Sequence, residues 1–340
     1  MNLLSEIEEG QRGKRHGLTT GSPLIDKMIL GIRKGTTVLV AAKEKVGKSK
    51  FVRYHWILQP YLKEVLAKGK QVEWLLFTLE EPRFKVEADI VCGLCHAEGT
   101  FISRSKMLGE ESDEEGNLLR LTSKELDLIK RMYETHIIPL FGEFDDERQI
   151  SKGLVTTYEH SIDPIRYGNI LLNYAVEKGA KIEKVDGHLN VIEFNKPDIH
   201  PIVIVDDYRL FNSSNKESLD ATFQIEVDIT QKFKWFSIVG IMHLNRVFTD
   251  YNRIQTMGPG KYYPDSSMIK DTGNGGERKH SVITLFNPSD PVFEIPVHFG
   301  TKVTPDYRSV HLVTSRDTQY PLHATCSFNG FAFNNYKNVK

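Results

Sequence analysis

Cysteine is scarce in this chain, three in 340 residues, and two of them fall in Cys92-Gly93-Leu94-Cys95-His96. That spelling matches the C-x-x-C-H pattern of haem attachment, a chemistry of exported proteins. The start, Met1 to Glu9, is acidic and lacks the apolar core of a signal peptide. No second pair nearby supplies zinc ligands, so the two read as small buried thiols on one helix. Long hydrophobic runs are also lacking. No stretch of eighteen apolar residues occurs, which excludes a transmembrane helix and leaves no membrane partner. The chain is accordingly expected in the cytoplasm. Nor is there an excess of charge of one sign: Lys plus Arg number 44 against 45 Asp plus Glu, a formal net charge of −1. Nucleic acid is therefore not attracted globally, and its binding would need a local basic patch or patches repeated around an oligomer. What is present, 40% hydrophobic and 26% charged residues, suffices for the core of one large or two ordinary domains.

The strongest positive signal is an apolar run over 37–42 followed by Lys43-Glu44-Lys45-Val46-Gly47-Lys48-Ser49. It reads as a buried strand, a tight loop and a helix opening at Gly47. Ala42, four further residues and then Gly-Lys-Ser meet the P-loop pattern, with Ala42 standing where many P-loops have their first glycine. In such a loop, successive N–H groups and the helix N-terminus form a positive nest for phosphates. Lys48 would reach the β- and γ-phosphates of ATP, and the Ser49 hydroxyl would ligate Mg2+. A second apolar strand over 72–79 ends in Glu80-Glu81-Pro82. A carboxylate at the carboxyl end of a buried parallel strand sits where ligands bind in α/β sheets. The alternative for Glu80 is a helix cap or first-turn charge. A third strand, Ile202-Val203-Ile204-Val205 and then Asp206-Asp207, has the Walker B arrangement. A fourth, over 236–242, ends in His243-Leu244-Asn245-Arg246.

Helices are expected from Ser49 to about Leu58, with Pro60 breaking or kinking the chain before it resumes to Ala67 and stops at Gly69. Others are expected over 84–97, 122–135, 167–178 and 219–233. Residues 137–141 read as a strand running into acidic 143–147, and 182–194 as an inserted hairpin about Asp186-Gly187. The stretch 247–280 lacks apolar periodicity. With Arg246 before it, it carries Arg253, Lys261, Lys270, Arg278 and Lys279, interleaved with Tyr251, Tyr262 and Tyr263, and Gly273, Gly275 and Gly276 supply mobility. Basic residues with aromatics in a mobile loop suit a single-stranded nucleic-acid backbone. The alternative is a solvated loop, since Asp250, Asp265, Asp271 and Glu277 offset much of the charge. The remainder reads as strands over 282–286, 292–299, 310–315 and 322–328, with a hairpin turn at Asn329-Gly330.

In this order the motifs resemble the RecA-type ATPase domain of DnaB-like replicative helicases, including those of bacteriophages. Six blocks carry the resemblance: Thr20-Gly21 through Asp26, the P-loop, Phe77-Thr78-Leu79-Glu80, Ile202 to Asp206 with Tyr208-Arg209-Leu210-Phe211, His243-Leu244-Asn245-Arg246, and Val313-Thr314-Ser315-Arg316. The resemblance implies one RecA-like α/β domain over 17–340, with a mainly parallel central sheet, helices on both faces and antiparallel C-terminal strands. Residues 1–16 would form a linker helix and basic linker, the helix packing on an adjacent protomer. It implies Mg2+ held by Ser49 and, through water, by Asp206. Glu80 would be the base or water-positioning group and His243 the γ-phosphate sensor. Arg316 would enter the neighbouring subunit's site, and Arg246, Arg253 and Lys261 would contact single-stranded DNA. The implied assembly is a homo-oligomeric ring, a hexamer by the same resemblance, with primase or a helicase loader as further partners. Thr314 stands where the family usually has lysine. Residues 98–200 exceed the family's usual length, and no N-terminal primase-contacting domain is expected. Two other classes stay open: a recombinase or clock-type RecA relative, and a weakly hydrolysing structural or loader ATPase.

Overall fold

The computed structural model of the chain describes residues 3–11, 16–142, 153–185, 188–195, 197–208, 216–269, 278–293 and 295–339. Helix α1 (Leu3–Gln11) is followed by α2 (Pro23–Ile29), which opens on Ser22 as its cap and Pro23 in the first turn, where no N–H is required. The motif before it is a clamp. Thr19 Oγ1 donates to Asp26 Oδ2 at 2.6 Å, and Thr20 N and Oγ1 each donate to Asp26 Oδ1 at 2.7 Å.

Strand β1 (Thr36–Ala42) leads into helix α3 (Lys48–Val52). Helical backbone then continues in widened turns over Arg53–Leu58 and Tyr61–Leu66, so of the break or kink expected at Pro60 the break does not occur. The reason lies in the next strand, β2 (Gln71–Thr78). Pro60 has no N–H for the carbonyl four residues earlier, and the Trp74 indole supplies one, donating to Trp56 O at 2.7 Å.

Helix α4 (Arg83–Ala97) carries Cys92 and Cys95, both buried as expected, and burial pushes their thiols up to about 12 and about 11. Short α5 (Arg104–Met107) precedes α6 (Ser123–Met132), which opens on a reciprocal cap between Thr122 and Glu125. The strand expected over 137–141 is instead helical, a wide turn (Tyr133–Ile137) running into α7 (Ile138–Phe141). Ile137, Leu140 and Phe141 are buried at helical spacing, and Pro139 sits in the first turn. The acidic 143–147 lies outside the described residues.

Strand β3 (Val155–Tyr158) and helix α8 (Pro164–Glu177) follow, then the hairpin β4 (Lys181–Val185) and β5 (His188–Glu193), antiparallel as expected. Its Asp186-Gly187 turn lies outside the described residues. Next come β6 (Ile199–Asp206), α9 (Lys216–Phe233), β7 (Ser237–His243), α10 (Tyr251–Met257) and β8 (Ser281–Phe286). Among the described residues of the expected strand over 292–299, only β9 (Val297–His298) pairs, with β10 (Thr301–Lys302). Pro291 and Pro296 lack donors, and Phe293 and Ile295 turn into the core instead. Strands β11 (Tyr307–Ser315), β12 (Leu322–Phe328) and β13 (Phe333–Val339) complete the chain.

Among the described residues nine strands form one sheet in the order β13-β12-β11-β8-β1-β7-β6-β2-β3. From β8 to β3 every pairing is parallel, and β11, β12 and β13 add antiparallel. Side chains alternate between two cores. Val38, Val40, Ile202 and Ile204 join the core under α3 and α4, whereas Leu39, Ala41, Val203 and Val205 join the one under α8 and α9. Each buried Val, Leu or Ile side chain among these stabilises by about 1.5–3 kcal/mol. Burial on both faces is why these strands read as unbroken apolar runs. The carboxyl ends of β1, β2, β6 and β7 therefore open at one edge, and that edge carries the motifs.

Candidate nucleotide site

The loop after β1 turns back on two left-handed residues, Lys45 (φ 63°) and Gly47 (φ 101°). Gly47 is required twice over, since a Cβ there would also press on the Phe328 ring at 3.0 Å. Arg308 of β11 backs the loop, donating from Nε to Val46 O at 3.1 Å. Helix α3 then opens at Lys48, a buried lysine, with Ser49 beside it. Ala42 ends β1, Lys43 pairs with Asp290 at 2.7 Å, and Glu44 is largely exposed.

Ser49 Oγ donates to Asp206 Oδ1 at 2.8 Å, which picks Asp206 over Asp207 as the acid of the β6 tip facing the P-loop. The other oxygen, Asp206 Oδ2, accepts from Arg53 Nη2 at 2.7 Å. Arg53 Nη1 also donates to Asp89 Oδ2 at 2.6 Å and to Glu81 Oε2 at 2.7 Å. Arg104 extends the group, reaching Glu81 Oε1 at 3.0 Å and Asp89 Oδ2 at 3.2 Å. Burial alone would lower the Arg53 pKa, but Asp206, Asp89 and Glu81 outweigh it and raise it above the ordinary value. Burial alone would raise Glu81, yet Arg53 and Arg104 hold it below the ordinary carboxylate range. Glu81, its oxygens occupied, is thus a poor base.

Glu80 lies in the turn between β2 and α4 and is exposed. It is not the helix cap, since Pro82 holds that position. His243 ends β7 and is buried, with Nε2 at 3.1 Å from Asp207 Oδ2 but without the alignment of a hydrogen bond, and with Nδ1 at 3.7 Å from Glu44 Oε1. Asp207 is itself buried in a left-handed conformation (φ 70°), a strained backbone for a non-glycine residue. Next in the chain, Tyr208 lays its ring against Gly240 of β7, where any side chain would collide with it.

Arg316 stands apart from this edge. Ser315 pairs with Ser281 of β8, which pairs with Val38 near the start of β1, whereas Leu285 is level with Ala42 where the P-loop begins. Four residues of strand, roughly 13 Å, separate the two levels. Within one chain Arg316 is exposed at the opposite end of the sheet from Lys48. Thr314 Oγ1 is buried without a hydrogen-bond partner.

The stretch over 247–269 is not a loose loop. A 3-10 turn (Arg246–Thr249), α10 and two further 3-10 turns bury Phe248, Ile254, Tyr262, Met268 and Ile269. Tyr262 is fully buried and cannot stack on a base, and Tyr263 stacks on His311 with ring centroids 4.8 Å apart. Arg253 is tied to Asp265 and donates to Ser267 Oγ at 2.9 Å, while Lys261 is exposed. Lys270, Gly273, Gly275 and Gly276 lie outside the described residues.

Sequence reasoning missed Arg53, Asp89 and Arg104. The one available signal was a charge inside the apolar stretch Phe51-Val52-Arg53-Tyr54-His55-Trp56-Ile57.

No protein family and no curated protein matches the sequence. Solved structures do match in shape. One, titled as an ATPase domain, has a TM-score of 0.64 at 15% identity, covering 98% of this chain and 97% of that one. Another, titled "The Structure Of A DnaB-Like Replicative Helicase And Its Interactions With Primase", has a TM-score of 0.66 at 14% identity over 98% of this chain and 68% of that one. At such identities the likeness speaks for fold, and in fold this chain resembles the RecA-type ATPase domain of DnaB-like replicative helicases.

Proposed function

We propose that this chain is an ATP hydrolase of the DnaB-like helicase kind, working at subunit interfaces of a homo-oligomer to translocate on single-stranded DNA. The observation that carries the reading is the contact of Ser49 with Asp206 at the mouth of a P-loop, 2.8 Å apart. A hydroxyl and a carboxylate are hard oxygen donors of the kind that suits Mg2+, whose remaining positions go to water and phosphate. Ser49 and Asp206 would hold that ion, which supplies charge neutralisation at the β- and γ-phosphates. Lys48 and the N–H groups of the loop bind and orient the phosphates. Glu80, the acid left without the arginine pairing of Glu81, positions the attacking water and takes its proton. His243, set between Glu44 and Asp207 at the end of β7, passes the nucleotide state to the segment that follows it.

Arg316 supports the oligomer. It stands at the wrong end of the sheet for its own P-loop, so it completes a site only in a neighbour packed head to tail. Such a contact closes into a ring, for which a hexamer is proposed, or runs on as a filament. One of the similar structures is titled for its interactions with primase, and primase or a loader is the protein partner proposed here. The DNA path is assigned to Arg246, Lys261 and, to a lesser degree, Arg253. The deciding experiment is ATPase activity with and without single-stranded DNA, beside a mass measurement. Turnover stimulated by DNA in an assembly of several copies is expected. A monomer without nucleotide turnover would overturn the reading, and a DNA-coating filament would favour the recombinase class.

A further inference from the structure

Arg53 is 2% exposed and touches three carboxylates that belong to three different parts of the chain. Asp206 ends strand β6, Glu81 lies in the turn after β2, and Asp89 sits within α4. Arg53 itself belongs to the P-loop helix, five residues beyond Lys48. One planar guanidinium thus fixes the phosphate-binding helix, the acid strand and the Glu80 turn against each other.

We propose that Arg53 is a positioning residue for hydrolysis, aiming Asp206 at the cation and, through Glu81, holding the turn that presents Glu80. The inference rests on the reading of this chain as an ATP hydrolase. Arg53 occupies Asp206 Oδ2, which leaves Oδ1, beside Ser49 Oγ, as the oxygen that can turn to a metal. The Glu80 turn is pinned twice at its far side, by the Glu81 carboxylate on Arg53 and by Thr78 Oγ1 donating to Glu81 O. Asp89 is the counter-anchor. It touches Arg53, Arg104 at 3.2 Å and Lys50 at 3.7 Å, and it keeps the guanidinium plane from rotating out of the site. Stability alone gives no reason for this group, because buried ion pairs are often matched or bettered by apolar side chains of similar size. Lysine cannot replace the arginine, since a single ammonium lacks the rigid fork that reaches all three acids.

The test uses Arg53→Lys and Asp89→Asn in the full chain, reading kcat and KM for ATP, Mn2+ binding in the presence of ADP by electron paramagnetic resonance, and the melting temperature. Residues that orient metal ligands typically cost about 10–100-fold in affinity or activity when changed. For Arg53→Lys a loss of kcat in that range is expected, with KM for ATP nearly unchanged and weaker Mn2+ binding. Asp89→Asn should move kcat and Mn2+ binding the same way by less, since Asp89 reaches Asp206 through Arg53. Wild-type kcat and Mn2+ affinity in a folded Arg53→Lys protein would overturn the proposal. So would kcat and ATP affinity falling in step with the melting temperature, the pattern of a purely structural residue. Should Arg53→Lys fail to fold, Asp89→Asn decides alone by the same criteria. If the wild-type chain turns over no ATP, the functional reading fails, while the Mn2+ measurement still reads the role of Arg53 on Asp206.

Discussion

Two charged groups are buried on opposite faces of the sheet, one around Arg53 beneath the P-loop helix and one around Lys279 beneath α9. In the second, Lys279 pairs with Glu226, and the hydroxyls of Tyr208 and Tyr167 donate to Glu226 Oε1 at 2.7 and 2.9 Å. Lys279 Nζ also lies 4.2 Å from the Phe223 ring centre. Lys279 and Glu226 are each almost fully buried, one cation against one anion with every oxygen engaged. The group around Arg53 is not closed in this way. Its fully buried members are one cation and two carboxylates, Asp89 and Asp206, and the balance is reached only with the partly exposed Glu81, Arg104 and Lys50. A buried group that is neutral within itself needs nothing further. One whose fully buried part carries an extra carboxylate, balanced only by partly exposed side chains, and which turns an oxygen toward a P-loop serine has chemistry that suits a cation.

The comparison breaks most sharply at the P-loop side. On the proposed function, Lys48→Ala and Arg316→Ala assemblies should each be nearly inactive, since an arginine brought to a γ-phosphate contributes about 10^3 to 10^5 in rate in GTPases and their relatives. Mixed together, with subunit exchange shown by labelling, they should regain activity wherever an intact P-loop meets a neighbour's intact arginine. A mixture that exchanges and stays dead removes Arg316 from the site. Next in size, Glu80→Gln should bind ATP but lose on the order of a hundredfold in turnover, within the range for a lost general base. Normal turnover there would move the base elsewhere, and Glu81, held by two arginines, would be a poor replacement.

The Lys279 group should answer differently. Lys279→Met leaves Glu226 buried and unpaired, costing about 3–5 kcal/mol of stability, while turnover per folded molecule stays close to wild type. Equal loss of kcat and stability would join the two groups into one. Acidity sets the window for such measurements. Burial lowers His55 and His298 to about 4 and His200 to about 3 from an ordinary 6.5. Since the unfolded chain takes up these protons first, their contribution is complete above about pH 6.5 and is lost as pH falls toward 4, by up to about 1.4 kcal/mol per pH unit for each histidine. Denaturant midpoints that stay flat from pH 7 to about 4 would contradict this. The smallest effect concerns DNA. Lys261→Ala should reduce the salt slope of single-strand binding by about 0.7, whereas Arg253→Ala should change it less because Asp265 already matches its charge. Equal slopes for the two variants would show that the ion pair opens on binding.

The P-loop, the Asp206 strand and the sheet to which they belong were legible because their signals are local. A glycine, a lysine and a serine in a row after an apolar run need no distant partner to be read. The two misread strands failed for the same local reason. Over 137–141 the spacing of Ile137, Leu140 and Phe141 fits a helix face, and over 292–299 Pro296, with Pro291 just before the stretch, removes donors a strand needs. Arg53 was illegible because its partners lie 28, 36 and 153 residues away. The burial of Tyr262 was hidden in the same way, since Phe286 and Phe293 pack against it from beyond the segment. The end of the sheet at which Arg316 stands depends on β11 running antiparallel, a fact of topology rather than of its neighbours in sequence.

The hydrogen bond from the Trp74 indole to the Trp56 carbonyl has an optical consequence. Two of the chain's three tryptophans meet where the P-loop helix leans on β2, and the third, Trp235, lies on the other face of the sheet, its indole donating to Ile199 O at 2.9 Å. Any tilt of the helix that stretches the Trp74 bond alters the polarity around an emitting ring without touching Trp235. The chain therefore carries its own fluorescent gauge of the helix that follows the P-loop, and a Trp235→Phe background would let that gauge be read without the far-face tryptophan.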